Sequence, residues 1–117
     1  MCQSLPKVTR DIFAVSTDYT LISGLPIVLN KQGAYRISAY HSYTHAVPQG
    51  LIISRSSTDC TASINVLAKA ETTSDVAELS VSINSFSAAS TAINYYLWAK
   101  SKTANSNQMG VIIEYLG

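Results

Sequence analysis

Charge is what this 117-residue chain has least of: 8 Lys and Arg face 7 Asp and Glu, 13% of the residues together, for a net charge of +1. No block of like charge occurs, so nothing in the chain can neutralise a run of phosphates, and nucleic acid is not an expected partner. Apolar runs are short too. None reaches the roughly 18 to 20 residues that a membrane-spanning helix needs. The opening Met1-Cys2-Gln3-Ser4-Leu5-Pro6 lacks the basic and apolar segments of a signal peptide. No membrane partner is expected, and synthesis in the cytoplasm is. Cysteine is limited to Cys2 and Cys60, with no CxxC or Cys/His ligand spacing, so two free thiols and no metal or cofactor are expected.

Catalytic equipment is equally sparse. There is no GxSxG elbow, no GxxxxGK[ST] loop and no HExxH motif. The imidazole bases are His41 and His45 alone, and a reaction needs nucleophile, base and electrophile stabiliser together, so no enzyme and no catalytic residues are expected. Four positions apart on a strand, His41 and His45 would share a face about 13 Å from each other, too far for one metal ion unless the segment bends. The reading is a polar strand end or loop, with a metal shared across an oligomer axis as the alternative.

What the chain does have is 47% apolar residues, and Ser and Thr making up about a quarter. The dominant period is two. Ala77, Leu79, Val81 and Ile83 alternate with Glu78, Ser80, Ser82 and Asn84, which predicts a strand with one core face and one wet face. Ala62, Ile64, Val66 and Ala68 alternate with polar residues in the same way, and a hairpin between these two strands is expected across Glu71-Thr72-Thr73-Ser74-Asp75. A second hairpin is expected from Leu25-Pro26-Ile27-Val28-Leu29 to Tyr35, Ile37 and Ala39, through the turn Asn30-Lys31-Gln32-Gly33. Further strands fall at Ile12–Val15, Tyr19–Ile22, Leu51–Ser54, Ile93–Lys100 and Val111–Leu116. Eight or nine short strands with turns every 8 to 12 residues or so indicate an antiparallel all-β sandwich or barrel. Residues 1–11 are read as an extended arm and 12–117 as one domain.

Tyr95, Tyr96 and Trp98 lie within four positions, and Tyr35, Tyr40 and Tyr43 form another aromatic run. If Tyr95 and Leu97 face the core, Tyr96 and Trp98 face outward, where aromatic bulk suits a subunit interface. A strand buried on both faces within one chain is the plain alternative. A sugar-stacking platform flanked by Asn94, Asn105 or Asn107 is a third.

Three stretches together carry a family likeness: Ile27-Val28-Leu29-Asn30-Lys31-Gln32-Gly33-Ala34-Tyr35-Arg36-Ile37, Ala92-Ile93-Asn94-Tyr95-Tyr96-Leu97-Trp98-Ala99, and the closing Met109-Gly110-Val111-Ile112-Ile113-Glu114-Tyr115-Leu116-Gly117. In layout they resemble the small jelly-roll modules of the tumour-necrosis-factor and C1q kind, found in bacteriophage virions as trimeric capsid decorations and fibre knobs. The chain has neither collagen-like stalk nor heptad repeat, a departure from C1q proteins and long fibres. The resemblance implies a jelly-roll β-sandwich and a structural virion role: a homotrimeric cement protein on the major capsid protein or another virion protein. It also implies that the final strand runs near the threefold axis, with Val111, Ile113 and Tyr115 joining Tyr96 and Trp98 at the oligomer interface. In that reading the arm docks on the capsid through Leu5, Pro6, Lys7, Val8 and Arg10, adding a strand to a neighbouring sheet edge. The alternative is a receptor- or carbohydrate-binding knob that meets a host-surface glycan with the loop residues His41, Tyr43, His45, Asn105 and Asn107.

Overall fold

Alternating apolar residues build two facing sheets. The computed structural model describes residues 7–13, 15–88, 92–102 and 107–117, with the Lys7 side chain left aside. Within them run nine strands: β1 Lys7–Phe13, β2 Thr20–Leu21, β3 Ile27–Leu29, β4 Gly33–Val47, β5 Gln49–Ser54, β6 Val66–Glu71, β7 Val76–Ser87, β8 Ile93–Ser101 and β9 Asn107–Tyr115. A front sheet has the order β1-β9-β4-β7, and a back sheet has the order β2-β8-β5-β6 with β3 also on β8. Every pairing is antiparallel. This is the jelly-roll sandwich, with β2 and β3 acting as one interrupted edge strand.

Both expected hairpins are corrected by this topology. β3 pairs with β8 while β4 pairs with β7 and β9, and β6 pairs with β5 while β7 pairs with β4. Among the described residues, β5 and β6 are the one pair of consecutive strands that pair with each other; the other connections cross between sheets or, between β2 and β3, continue along one edge. Period two tells which face a residue takes, but not which strand lies beside it. Residues 61–65 are not strand either. Asp59 Oδ1 accepts from the Thr61 and Ala62 amides, and Ser56 Oγ from those of Thr58 and Asp59. These local bonds compete with a ladder, and Ile64 ends up 79% exposed.

The core lies between the sheets. Ile37, Ala39, Met109 and Val111 from the front meet Ile27, Leu29, Leu51, Ile53, Leu97 and Ala99 from the back. The Ser85 hydroxyl and Tyr95 hydroxyl, 2.9 Å apart, tie β7 to β8 across the gap. Gln49, buried, donates to the Val76 carbonyl at 2.8 Å and stitches β5 to the start of β7.

Four of the five glycines lie under an aromatic ring: Phe13 at Gly24, Tyr115 at Gly33, Tyr19 at Gly50 and Tyr40 at Gly110. A ring laid across a strand glycine restores the apolar cover that its missing side chain forfeits. Gly33 carries a second demand, because its φ of 140° is one that side-chain-bearing residues rarely adopt, and a Cβ there would fall 2.7 Å from Tyr115. Tyr115 is itself fixed, donating to the Gln32 carbonyl at 2.8 Å with the Lys31 ammonium 4.6 Å from its ring centroid. Gly33→Ala is therefore expected to cost about 1–3 kcal/mol through strain and overpacking, read as a lowered midpoint of thermal unfolding.

Candidate interaction surfaces

The segment expected to be a free arm is, from residue 7 onward, part of the sandwich. Lys7, Val8 and Arg10 lie on β1, whose register on β9 runs from Lys7 opposite Ile113 to Phe13 opposite Asn107. Leu5 and Pro6 lie outside the described residues. Val8 and Ile12 share one face of β1, with Arg10 between them, and β1 fills the side of β9 away from β4. β1 is itself an edge: among the described residues, only β9 pairs with it. Val8 is 47% and Ile12 64% exposed on its outer face, and Ile112 stands across from Val8. The opposite edge strand, β7, instead turns Glu78, Ser80, Ser82 and Asn84 outward. The two edges of the front sheet thus differ in degree: β1 sets Val8 and Ile12 on either side of Arg10, while β7 is polar until Phe86, 66% exposed, near its end.

The inward half of β9 is committed to its own chain. Val111 is 1% exposed, and Ile113 and Tyr115 pack against the same core, with Tyr115 edge-on to Tyr35 at 5.1 Å between centroids. Val111, Ile113 and Tyr115 therefore face inward, and from β9 it is Ile112 on the other side that a neighbouring molecule could meet. Strand alternation is the physical reason, because a central strand of a sandwich gives only every second residue to the outside.

On the back sheet Tyr95, Leu97 and Ala99 do turn inward, while Tyr96 and Trp98 turn outward. Trp98 lies between Leu21 and Ile52 in register. It is half-buried, and its indole N–H donates to the Ser56 carbonyl at 3.1 Å. The loop from Arg55 to Asn65 supplies that carbonyl and also buries Cys60 and the outward-facing Ile52, so the chain covers part of its own outer face here. Burial pushes the Cys60 thiol up from its ordinary value, which keeps it protonated and unreactive at neutral pH. Cys2 lies outside the described residues. Beside this patch, the Tyr19 hydroxyl donates to Glu71 at 2.5 Å, and Lys100 approaches the same carboxylate at 3.1 Å. Those bonds, the Tyr19 one foremost, hold the Glu71 carboxyl below its usual range.

The loop residues named for ligand binding are dispersed. β4 runs on to Val47, with an irregularity in its pairing between Ser42 and Val47, so His41, Tyr43 and His45 are strand residues and not loop. His41 and Asn107 are both fully buried, and His41 Nε2 lies 2.8 Å from Asn107 Oδ1. They belong to the core and cannot meet a glycan. Tyr43 and His45 form an edge-on ring pair 5.8 Å apart, and Asn105 lies outside the described residues. Among the described residues, no group of three or more His, Cys, Asp or Glu is placed to hold a metal ion.

No family model matches this sequence, and no curated protein does. Solved structures do match in fold. One is a protein of Bacillus endospore appendages, which form a family of disulfide-linked pili; it aligns with a TM-score of 0.55 at 10% identity, over 98% of this chain and 90% of that one. Another is the Yersinia pseudotuberculosis-derived mitogen, with a TM-score of 0.54 at 10% identity, over 95% of this chain and 87% of that one. At such identity the likeness is one of fold: this chain shares an all-β, jelly-roll-like sandwich with proteins of different roles.

Proposed function

We propose that the chain is a non-catalytic structural subunit of an assembled particle surface and, in the form its sequence layout suggests, a trimeric decoration protein on a bacteriophage capsid. The observation that carries the reading is the β1 edge. Among the described residues the seven-residue β1 edge is open, and its Val8 and Ile12, with Arg10 between them, are a liability for a protein that stays alone. It is the natural receptor for a strand supplied by a neighbouring subunit, which would pair with the free backbone groups and cover the flanks of both side chains. The low charge and the many hydroxyls of the outer faces suit packing against other protein surfaces. That a spore-appendage protein of similar fold belongs to pili supports the capacity of such a sandwich to assemble.

The test places lysine at both exposed positions. Val8→Lys with Ile12→Lys should leave the circular dichroism spectrum unchanged, since neither side chain is in the core. It should reduce the oligomer seen by light scattering to a monomer and abolish co-sedimentation with capsids of the source virus. A wild-type protein that is monomeric and sediments with no particle would overturn the function; a double variant that assembles like wild type would overturn the β1 edge as its seat. Long filaments of wild-type protein under the electron microscope would replace the capsid with a self-built fibre.

A further inference from the structure

Two strands in from the β1 edge, the outer face of the front sheet holds a feature that strand addition leaves open. Tyr40 sits in the middle of that face. Its neighbours there are Ser38 and Ser42 along β4, Ser80 across on β7 and Gly110 across on β9, all of them small. The phenol end of the ring lies over Gly110, in the volume a side chain would occupy, and the half-buried ring lines the space beside it. The hydroxyls of Tyr19, Tyr35, Tyr95 and Tyr115 are each tied to a protein group. That of Tyr40, among the described residues, has no such tie. Around the ring opens a cleft of about 530 Å³, bounded also by Arg10, Ser42, Glu78, Ser80 and Gln108. Its size is within the roughly 300–1,000 Å³ typical of small-ligand sites.

We propose that this cleft is a saccharide-binding site, in which a pyranose of a neutral oligosaccharide stacks on Tyr40 and hydrogen-bonds to the polar rim. A pyranose offers an apolar C–H face and a perimeter of hydroxyls that both donate and accept. The cleft is its complement: one flat aromatic surface, and side chains of both hydrogen-bonding senses, with one positive and one negative charge that balance. An apolar peptide would strip water from Arg10, Glu78 and Gln108 without replacing their hydrogen bonds, which is costly. A nucleotide would find Arg10 as the sole cation at the rim. The site borders the assembly edge, since Arg10 lies between Val8 and Ile12 on β1 and Gln108 stands opposite Ile12; sugar binding and self-assembly are nevertheless read by different measurements, so either can fail without the other.

The test is a titration of the full-length, isotope-labelled protein with cellohexaose, maltohexaose and N-acetylglucosamine hexamer, followed by amide shifts in two-dimensional NMR. At least one sugar should give saturable shifts centred on Tyr40, Ser80 and Gly110, with Leu97 on the back sheet unmoved. Tyr40→Leu still covers Gly110 but has no flat face, and should weaken binding about tenfold or more, whereas Tyr40→Phe should stay within about threefold. Should the leucine variant fold poorly, Glu78→Ala with Gln108→Ala, both exposed, should weaken the same isotherm. No shift with any of the three sugars at about 10 mM, or shifts that survive Tyr40→Leu unchanged, would overturn the site.

Discussion

Leu97→Ala is expected to lower the free energy of unfolding by about 2–5 kcal/mol, against a total of roughly 5–15 kcal/mol for an ordinary domain. Leu97 is fully buried on β8, the strand that pairs with β2, β3 and β5. Its backbone is held on both sides, opposite Ile53 in register and by the Ile22 amide donating to its carbonyl at 2.9 Å. The lost methyl groups leave a void that the strand cannot move to fill, so the cavity cost adds to the transfer cost. Urea denaturation at neutral pH measures it, and thermal unfolding should fall by about 10 °C. Ile64→Ala is the control: at 79% exposure it should change stability by no more than about 0.5 kcal/mol. A Leu97→Ala cost under about 1 kcal/mol would mean that the two sheets close over the gap.

How far the sequence discloses this molecule follows from what period two encodes. The faces of β7 and β8 are legible, since Leu79, Val81 and Ile83 turn inward and Tyr96 and Trp98 outward as their alternation requires. The jelly-roll class is legible from strand number and spacing. Strand partners are not, because β3 beside β8 and β6 beside β5 depend on the whole wrapping of the chain and not on any local residue. For the same reason the pairing of Tyr40 with Gly110, seventy positions apart, carries no local mark although it shapes the proposed sugar shelf. The loop over Trp98 misleads in another way, as Ala62, Ile64 and Val66 alternate like a strand while Ser56 and Asp59 draw the backbone into turns. His41 shows the limit most clearly. A histidine in a polar run reads as surface, yet its register opposite Met109 and Leu79 carries it into the core.

That placement makes acid stability the second large effect. The Nε2–H of His41 donates to Asn107 Oδ1, which leaves Nδ1 bare, and Nδ1 has no partner among the described residues. Protonating it puts a charge into the sandwich, so burial holds the His41 pKa below its ordinary 6.5, although the bond to Asn107 pulls weakly the other way. In the unfolded chain the same imidazole titrates at its ordinary value. Below about pH 6.5 the unfolded state therefore binds a proton that the folded state refuses, and stability must fall as pH falls. The contribution is complete above that pH and is lost on the way down toward the folded pKa. One proton sets the limit at about 1.4 kcal/mol per pH unit. Asp59 and Glu71 are held below their ordinary 3.8 and 4.5, so their own losses begin only under about pH 5 and leave the window from 5 to 6.5 to His41. Urea midpoints at pH 8, 7, 6 and 5 should be flat over the first step and then decline with that slope as the ceiling. His41→Gln keeps an N–H for Asn107 but no titrating group, and its midpoints should stay level down to about pH 5; equal slopes for the two proteins would place the acid-sensitive group elsewhere.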